Sequence, residues 1–201
     1  MSETFTPIAR SRAGYYCKGS PVHFVMVELF RMESTGSTVV TLTFKNLYSR
    51  PVMEFTAHYR CKNRAGQVIG EDDFSYHQVG AAEGECFGSD DGVFISDEPL
   101  GSVEVNLVSV TYDDGILHSL KRCAPVALPP LRPLPEAARE AVRRTLGVRG
   151  VRYYPEQAAD GWRCVCGAFN YNAGQGRTHC SECGAAKQQA FAAVAAALRR
   201  A

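Results

Sequence analysis

Trp-Arg-Cys-Val-Cys-Gly-Ala-Phe-Asn at residues 162–170 and Cys-Ser-Glu-Cys-Gly at residues 180–184 organise the second half of this chain. They hold four cysteines in two close pairs, with thirteen residues between the pairs: Cys164 and Cys166, then Cys180 and Cys183. Two thiolates on each side of a short loop supply the tetrahedral ligand set that Zn²⁺ prefers. The spacing therefore predicts one structural zinc ion bound by all four cysteines.

The two pairs differ in spacing. Cys180 and Cys183 are separated by two residues and followed by Gly184, which lets backbone amides point at a ligand sulfur. The first pair, Cys-Val-Cys, has one intervening residue where two are usual. His179 is the alternative ligand, but four cysteines already complete the set. A site with four protein ligands leaves no position for water, which predicts a structural and not a catalytic metal.

The metal stretch resembles the RanBP2-type zinc finger, a two-hairpin zinc ribbon. The resemblance covers about 25 of the 201 residues and rests on the spacing of six residues: Trp162, Cys164, Cys166, Asn170, Cys180 and Cys183. It implies that Trp162 and Asn170 pack around the zinc site. The only tryptophan of the chain is therefore expected to cover the metal as a miniature core.

Members of that family bind ubiquitin or single-stranded RNA, so the chain is compared with each at the relevant positions. Ubiquitin binders have Thr-Phe directly after the second cysteine, where this chain has Gly167 and Ala168. RNA binders use an exposed aromatic and paired arginines between the knuckles, where bases stack. This chain offers Tyr171 and Arg177 there, in a longer loop. These two residues are the candidates for nucleic-acid contact, and a ribbon that offers a surface to another protein is the other hypothesis.

Composition indicates a globular protein, since 45% of residues are hydrophobic and 21% are charged. No apolar run approaches the roughly 20 residues of a membrane span. The first residues, Met-Ser-Glu-Thr-Phe-Thr-Pro, lack the basic start and apolar run of a secretory signal. Zinc-spaced thiolates without such a signal predict a reducing, cytoplasmic location. The remaining cysteines are scattered and are expected to be free, mostly buried thiols: Cys17, Cys61, Cys86 and Cys123.

Charge is distributed unevenly along the chain. Residues 1–123 hold 11 Lys and Arg against 16 Asp and Glu, whereas residues 124–201 hold 11 against 5. A zinc ion with four thiolates adds about −2 to the second part, which leaves an excess of about +4. A basic part of this size attracts nucleic acid or an acidic protein face, and it does not by itself decide between them.

The pattern from residue 21 to residue 123 has a period of two, which is typical of half-buried strands. The clearest alternation places Phe55, Ala57, Tyr59 and Cys61 on one face. About seven short strands without a helix between them predict an immunoglobulin- or fibronectin-like β-sandwich. Residues 1–20 are polar and are interpreted as an N-terminal arm.

Part of this region resembles the bacterial FxLYD-type sandwich domains. The similarity covers about 30 residues and rests on three segments: Val40–Asn46, Arg50-Pro51-Val52 and Asn63–Ile69. The chain departs from the family pattern at Arg60 and Cys61, where an acidic residue often follows the aromatic. The resemblance implies a binding or spacing module without catalytic activity.

Residues 124–150 are interpreted as a proline-rich linker and a short helix. Five of the ten prolines lie in residues 124–135, which predicts a stiff extended segment. Pro135 suits the first position of a helix over Glu136–Leu146 that Gly147 ends. The zinc ribbon is assigned to residues 151–185 and a C-terminal helix to residues 186–201. The apolar stripe of that last helix either folds back onto the ribbon or docks on another protein.

The sequence contains no nucleophile elbow, metalloprotease motif or phosphate loop, and its five histidines are dispersed. The chain is therefore predicted to be mainly β and to be a non-enzymatic zinc-binding adaptor of bacterial type with another protein as partner. Neither a membrane nor a small-molecule substrate is indicated. The first alternative is a nucleic-acid-binding zinc-ribbon protein, and the second is an enzyme whose site is assembled only in the fold.

Overall fold

The computed structural model describes residues 3–172 and 174–199, and it divides the chain into two compact units, Met1–Leu128 and Pro129–Ala201. Strands make up 47% and helices 13% of the structure, which confirms the predicted mainly-β class. No helix among the described residues is both long and apolar enough to cross a membrane.

The first unit is built from antiparallel strands. In chain order they are β1 (Phe5–Arg12), β2 (Tyr15–Cys17), β3 (Val22–Met32), β4 (Thr38–Asn46), β5 (Val52–Asn63), β6 (Val68–Tyr76), β7 (Cys86–Phe87), β8 (Gly92–Ser96), β9 (Leu100–Tyr112), β10 (Leu117–Ser119) and β11 (Pro125–Ala127). One sheet has the order β1-β3-β4-β7, with β8 also paired to β4. A second sheet has the order β10-β9-β5-β6, and β2 pairs with β11 in a small third one.

The two larger sheets share one hydrophobic core. On β5 the predicted alternation is observed, since Phe55, Ala57, Tyr59 and Cys61 are buried while the residues between them are more exposed. Phe44 of β4 contributes from the other sheet, and its ring centroid lies 4.6 Å from that of Phe55. Inward-facing residues from both sheets thus close the core of a sandwich.

Asn46 at the end of β4 holds together the loops at one end of this sandwich. Its side chain is fully buried, donates through Nδ2 to the carbonyl oxygens of Arg50 (2.8 Å) and Ala81 (3.0 Å), and accepts through Oδ1 from the Tyr48 N–H (2.9 Å). This residue lies in the stretch that resembles the FxLYD-type domains. An asparagine at this position has a physical reason here, because its side chain hydrogen-bonds two carbonyl oxygens and one N–H of the backbone in two loops.

We expect Asn46→Ala to lower the free energy of unfolding of the first unit by about 3 kcal/mol, because buried backbone groups lose their partners. Chemical denaturation followed by tyrosine fluorescence measures this loss. Asn106→Ala is the matched control, since Asn106 is exposed on β9 and its replacement should change the free energy by less than about 0.5 kcal/mol. Equal stability of the two variants would contradict the role given to Asn46.

The N-terminal segment differs from the arm predicted over residues 1–20. Residues 5–12 form β1, which pairs with β3 along the sheet edge, and residues 15–17 form β2. Nearly all side chains of β1 are exposed, so the strand has no buried face. An edge strand without a buried face leaves no hydrophobic alternation in the sequence, which is why the period of two did not reveal it. Residues 1 and 2 of the predicted arm lie outside the described part of the chain.

The proline-rich segment also differs from the stiff, extended linker that its composition predicted. Residues 125–127 form β11, and the Leu128 N–H donates to the Gly14 carbonyl oxygen (2.8 Å), so this part belongs to the first unit. Further on, the Leu134 N–H donates to Arg152 O (2.8 Å), which fastens the later part into the second unit. Proline lacks an N–H but its carbonyl still accepts and its neighbours still donate, so it is compatible with such short edge pairing.

The second unit contains α1 (Glu136–Leu146), β12 (Glu156–Gln157), β13 (Gly161–Arg163), β14 (Phe169–Tyr171) and α2 (Lys187–Leu198), and β12, β13 and β14 form one small antiparallel sheet. Both predicted helices are present within the described residues, while residues 200 and 201 of the predicted C-terminal helix lie outside them. Val142 of α1 and Val194 of α2 share one core with Val165 between the first two cysteines. The apolar face of α2 therefore packs inside the unit, which favours the first of the two alternatives left open for it.

Candidate metal centre

The four cysteines of the two pairs meet in space. Their Sγ atoms all lie within 4.8 Å of one another, and two distances are 3.6 Å, between Cys164 and Cys183 and between Cys166 and Cys180. Zinc–sulfur bonds of about 2.3 Å in a tetrahedron place neighbouring sulfurs about 3.8 Å apart. All four cysteines are free thiols in the structure. The arrangement is thus a four-cysteine metal-binding cluster whose dimensions fit Zn²⁺.

Each pair of sulfur atoms is positioned by one backbone turn. The two turns differ in length, which explains the unequal spacing of the two cysteine pairs. In the first knuckle the Gly167 N–H donates to Cys164 O (2.8 Å), a step of three residues. In the second knuckle the Gly184 N–H donates to Cys180 O (2.9 Å), a step of four residues. Gly167 and Gly184 have φ of 92° and 75°, which L side chains rarely adopt. A tighter turn therefore compensates for the single residue in Cys-Val-Cys.

Asn170 connects the two knuckles. The side chain is 2% exposed, donates through Nδ2 to Ala168 O (3.2 Å) behind the first knuckle, and accepts through Oδ1 from the Ser181 N–H (2.8 Å) in the second. The side-chain amide of Asn170 thereby fixes the distance between the two knuckles. This contact gives a structural role to the residue that the RanBP2-type resemblance picks out.

Trp162 fills the centre of the second unit. The indole is fully buried, and its Nε1–H donates to the Gly176 carbonyl oxygen at 2.7 Å, so its one polar atom has a partner. The ring of Phe191 from α2 lies 6.3 Å away, and Lys187 Nζ lies 5.9 Å from the indole centroid. The tryptophan therefore joins β13, the loop between the knuckles and α2 in the core that also contains the cysteines.

Protonation of the four thiols is coupled through their sulfur–sulfur contacts. Hydrogen bonding with Cys164 and with Cys166 lowers the pKa of Cys180, and the Cys183 backbone N–H adds to the lowering. Hydrogen bonding with Cys166 and then with Cys180 and Cys183 raises the pKa of Cys164. Thiols bind a cation as thiolates, so metal binding at this cluster releases their protons to the solvent.

Three other residues considered from the sequence lie around the cluster and not in it. Tyr171 is half-buried, and its ring packs edge-on against Phe169 at 5.0 Å, while Arg177 is exposed. His179 is exposed, and its Nδ1 lies 3.0 Å from the Thr178 hydroxyl, so it is not one of the grouped ligands. Tyr171 and Arg177 stay candidates for nucleic-acid contact.

Of the scattered cysteines, Cys17 and Cys61 are buried, Cys123 is half-buried and Cys86 is exposed. Burial raises the pKa of the Cys61 thiol to about 11, as expected for an inert core residue. Among the described residues, the four-cysteine cluster is the one group of metal-ligating side chains.

Arg163 beside the first ligand is a residue that sequence reasoning missed. Its side chain is buried, donates to the Pro129 carbonyl oxygen, and lies 3.9 Å from Glu156 Oε2, while Arg132 Nε contacts the other oxygen of that carboxylate at 2.8 Å. Desolvation lowers the pKa of the Arg163 guanidinium, and Glu156 opposes this. The contacts of Arg163 with Pro129 and of Arg132 with Glu156 hold residues 129–132 against the metal-binding hairpin. Since arginine is mostly exposed in proteins, nothing in the sequence indicates this role.

Fold and cluster together define a mainly-β protein with a four-cysteine metal-binding unit. Neither a protein-family model, nor a curated protein, nor a solved structure matches the chain. The functional argument therefore depends on the geometry of the chain itself.

Proposed function

We propose that this protein is a non-enzymatic adaptor in which one structural Zn²⁺, bound by Cys164, Cys166, Cys180 and Cys183, stabilises a RanBP2-like ribbon that contacts another protein. The observation that carries the proposal is the grouping of four sulfurs within 4.8 Å. Four thiolates complete the coordination of zinc, so the metal has no position for a substrate or a water molecule. Free thiols throughout the described chain suit a reducing compartment, and we place the protein in the cytoplasm.

Support for a structural metal comes from the size of the second unit. Fewer than 80 residues with few large apolar side chains bury little surface, and domains of this size commonly need a metal or disulfides. Its core consists largely of alanines and the cysteines themselves, and Trp162 is the one large residue that is fully buried among the described residues of the unit. The free energy of metal binding then becomes free energy of folding.

Metal content tests the first half of the proposal. Native mass spectrometry of the full chain should find one zinc ion per chain, and Cys166→Ser should lose it because three sulfurs bind far more weakly. Cys86→Ser is the matched control, since Cys86 is an exposed cysteine outside the cluster, and it should keep one zinc ion. Zinc retained at full occupancy in Cys166→Ser would exclude the ligand set given above.

Binding of a single-stranded nucleic acid is the second candidate function, and the exposure of Arg177 in the loop between the knuckles favours it. Affinity for RNA or DNA should then fall steeply with added salt, since cations are released from the phosphates. Arg177→Gln should weaken such binding, whereas Arg64→Gln, which removes an exposed arginine of the first unit, should not. Salt-independent or undetectable binding would leave the adaptor as the one proposal.

A further inference from the structure

The acidic residues of the second unit are largely occupied by neighbouring arginines. On α1, Glu136 contacts Arg139 and Glu140 contacts Arg143, each pair one helical turn apart. The carboxylate of Glu156 is used by two further arginines, Arg132 and Arg163. Basic residues exceed acidic ones in this unit by 11 to 5, so internal pairing leaves several cations without a counter-charge.

Three of these cations follow the ion pairs of α1 within nine residues of the chain. Arg144, Arg149 and Arg152 are exposed, and none of them forms an ion pair with another residue in the described part of the chain. Chain length limits the Cα distance from Arg149 to Arg152 to about 11 Å and that from Arg144 to Arg149 to about 18 Å. We call these three residues the arginine patch.

The backbone beneath the arginine patch is held in place. Gly147 ends α1 with φ of 64°, and its N–H donates to Arg143 O at 2.9 Å, which turns the chain out of the helix. Gly150 makes a second turn with φ of 79°, after which Val151 is buried in the core. Arg149 and Arg152 therefore lie on a short loop that is anchored at both ends, and Arg144 lies on the last turn of the helix before it.

The same loop rests on the first metal knuckle. A Cβ atom at Gly150 would lie 3.7 Å from Cys166 Cβ, so the backbone there passes directly beside a ligand. The N–H groups of Arg152 and Tyr153 both donate to Val165 O, at 2.8 and 3.0 Å, between the first two ligands. Metal binding and the placement of the patch are thus structurally linked.

We propose that the arginine patch is the docking surface for an acidic segment of a partner protein, a run of Asp and Glu side chains. This inference rests on the proposed adaptor function and gives its partner a chemical class. Guanidinium groups bind carboxylates through paired hydrogen bonds, and three of them, one on the last turn of α1 and two on the anchored loop after it, match a short acidic run. The occupied carboxylates of the unit leave the patch for a carboxylate from outside.

An acidic protein segment fits the patch better than a nucleic acid does. Single-stranded nucleic acid binding combines cations with aromatic side chains on which bases stack. Residues 144–152, Arg-Thr-Leu-Gly-Val-Arg-Gly-Val-Arg, include no aromatic residue, and the two tyrosines that follow, Tyr153 and Tyr154, are half-buried and not exposed. The excess of about +4 that remains with zinc bound is also small for a phosphate-tracking groove. Charge without a stacking surface is the chemistry of carboxylate recognition.

The test measures binding of a fluorescently labelled oligoglutamate peptide to the zinc-loaded full chain by anisotropy at low ionic strength, where exposed charges are least screened. Replacing Arg144, Arg149 and Arg152 together by glutamine should weaken binding by about tenfold or more. The matched control replaces Arg64, Lys121 and Arg122 by glutamine, which removes the same charge from exposed positions of the first unit and should change affinity less than about twofold. Chelation of the metal should weaken binding in the wild type as the patch triple variant does.

Several results would overturn the proposal. Equal losses in both triple variants would mean that only net charge matters, and no binding of the peptide to the zinc-loaded chain would exclude the surface. Tighter, patch-dependent binding of a labelled oligothymidylate would assign the patch to nucleic acid instead. Native mass spectrometry of each protein separates this outcome from failure of the adaptor proposal: a wild type without zinc refutes the metal site, whereas zinc-loaded variants with unchanged binding refute only the patch.

Discussion

Cys180→Ser should unfold the whole second unit and leave the first unit folded. Serine is a poor zinc ligand, and structural zinc sites contribute about 10–16 kcal/mol of apparent binding free energy in small zinc-binding domains. Loss of that free energy is comparable to the total stability of a typical domain, which is about 5–15 kcal/mol, and is therefore enough to unfold a small one. Cys180 is 3% exposed and shares its core with both helices, so their packing should be lost together with the metal.

Circular dichroism measures this outcome directly, because α1 and α2, the two α-helices of the described chain, both lie in the second unit. The variant should lose the helical far-UV signal and keep the strand signal, and a chelator should do the same to the wild type. Cys61→Ser is not a fair control because Cys61 is a core residue, so exposed Cys86→Ser serves instead and should keep both signals. A metal-free variant with intact helices would refute the dependence on zinc.

From the sequence alone, loss of one cysteine ligand is predicted to unfold residues 160–185 only. The difference shows what the spacing of cysteines can and cannot indicate. Cysteine spacing identifies the cluster because ligand number and reach are local properties. The joining of α1, the ribbon and α2 into one core is a property of packing between distant segments. Leu134, Val142 and Val194 belong to that core, but each lies in a segment that looks separate when read along the chain.

The same distinction applies to the first unit. Alternation on β5 can be recognised in the sequence because one face of that strand is buried, and it correctly predicts a strand of the central core, whereas β4 is buried on both faces. β1 and β11 could not be predicted, since their side chains are nearly all exposed and leave no hydrophobic alternation in the sequence. Likeness to immunoglobulin-type domains stays a prediction.

Buried polar residues form a third group. Asn46 and Arg163 each donate to a backbone carbonyl group far away in the sequence, and Asn170 accepts from a backbone N–H across the two knuckles. Which backbone group a buried polar side chain hydrogen-bonds depends on the assembled fold. Resemblance to known motifs picks out Asn46 and Asn170, but it gives no reason for them, and it does not pick out Arg163.

Phe44→Ala should destabilise the first unit and leave the second unit folded, the reverse of what is expected for Cys180→Ser. Phe44 is fully buried at the centre of the aromatic core of the first unit, with the ring of Phe55 at 4.6 Å and further rings between 5.6 and 5.8 Å: Phe24, Tyr76 and Phe87. Replacing a buried phenylalanine by alanine costs about 3–5 kcal/mol, since packing is lost and a cavity remains. A loss of that size should lower the melting temperature of the first unit by at least about 10 °C.

Because the core of the second unit consists of different residues, the variant should still bind one zinc ion per chain and keep its helical signal. Calorimetry measures the unfolding transition of the first unit, and native mass spectrometry measures the number of bound zinc ions. Tyr48→Ala is the matched control, as Tyr48 is an exposed aromatic residue next to the same core, and it should shift the transition far less. If Phe44→Ala released the metal, the two units would fold as one, and metal-dependent binding would have to be explained by the whole chain and not by the ribbon.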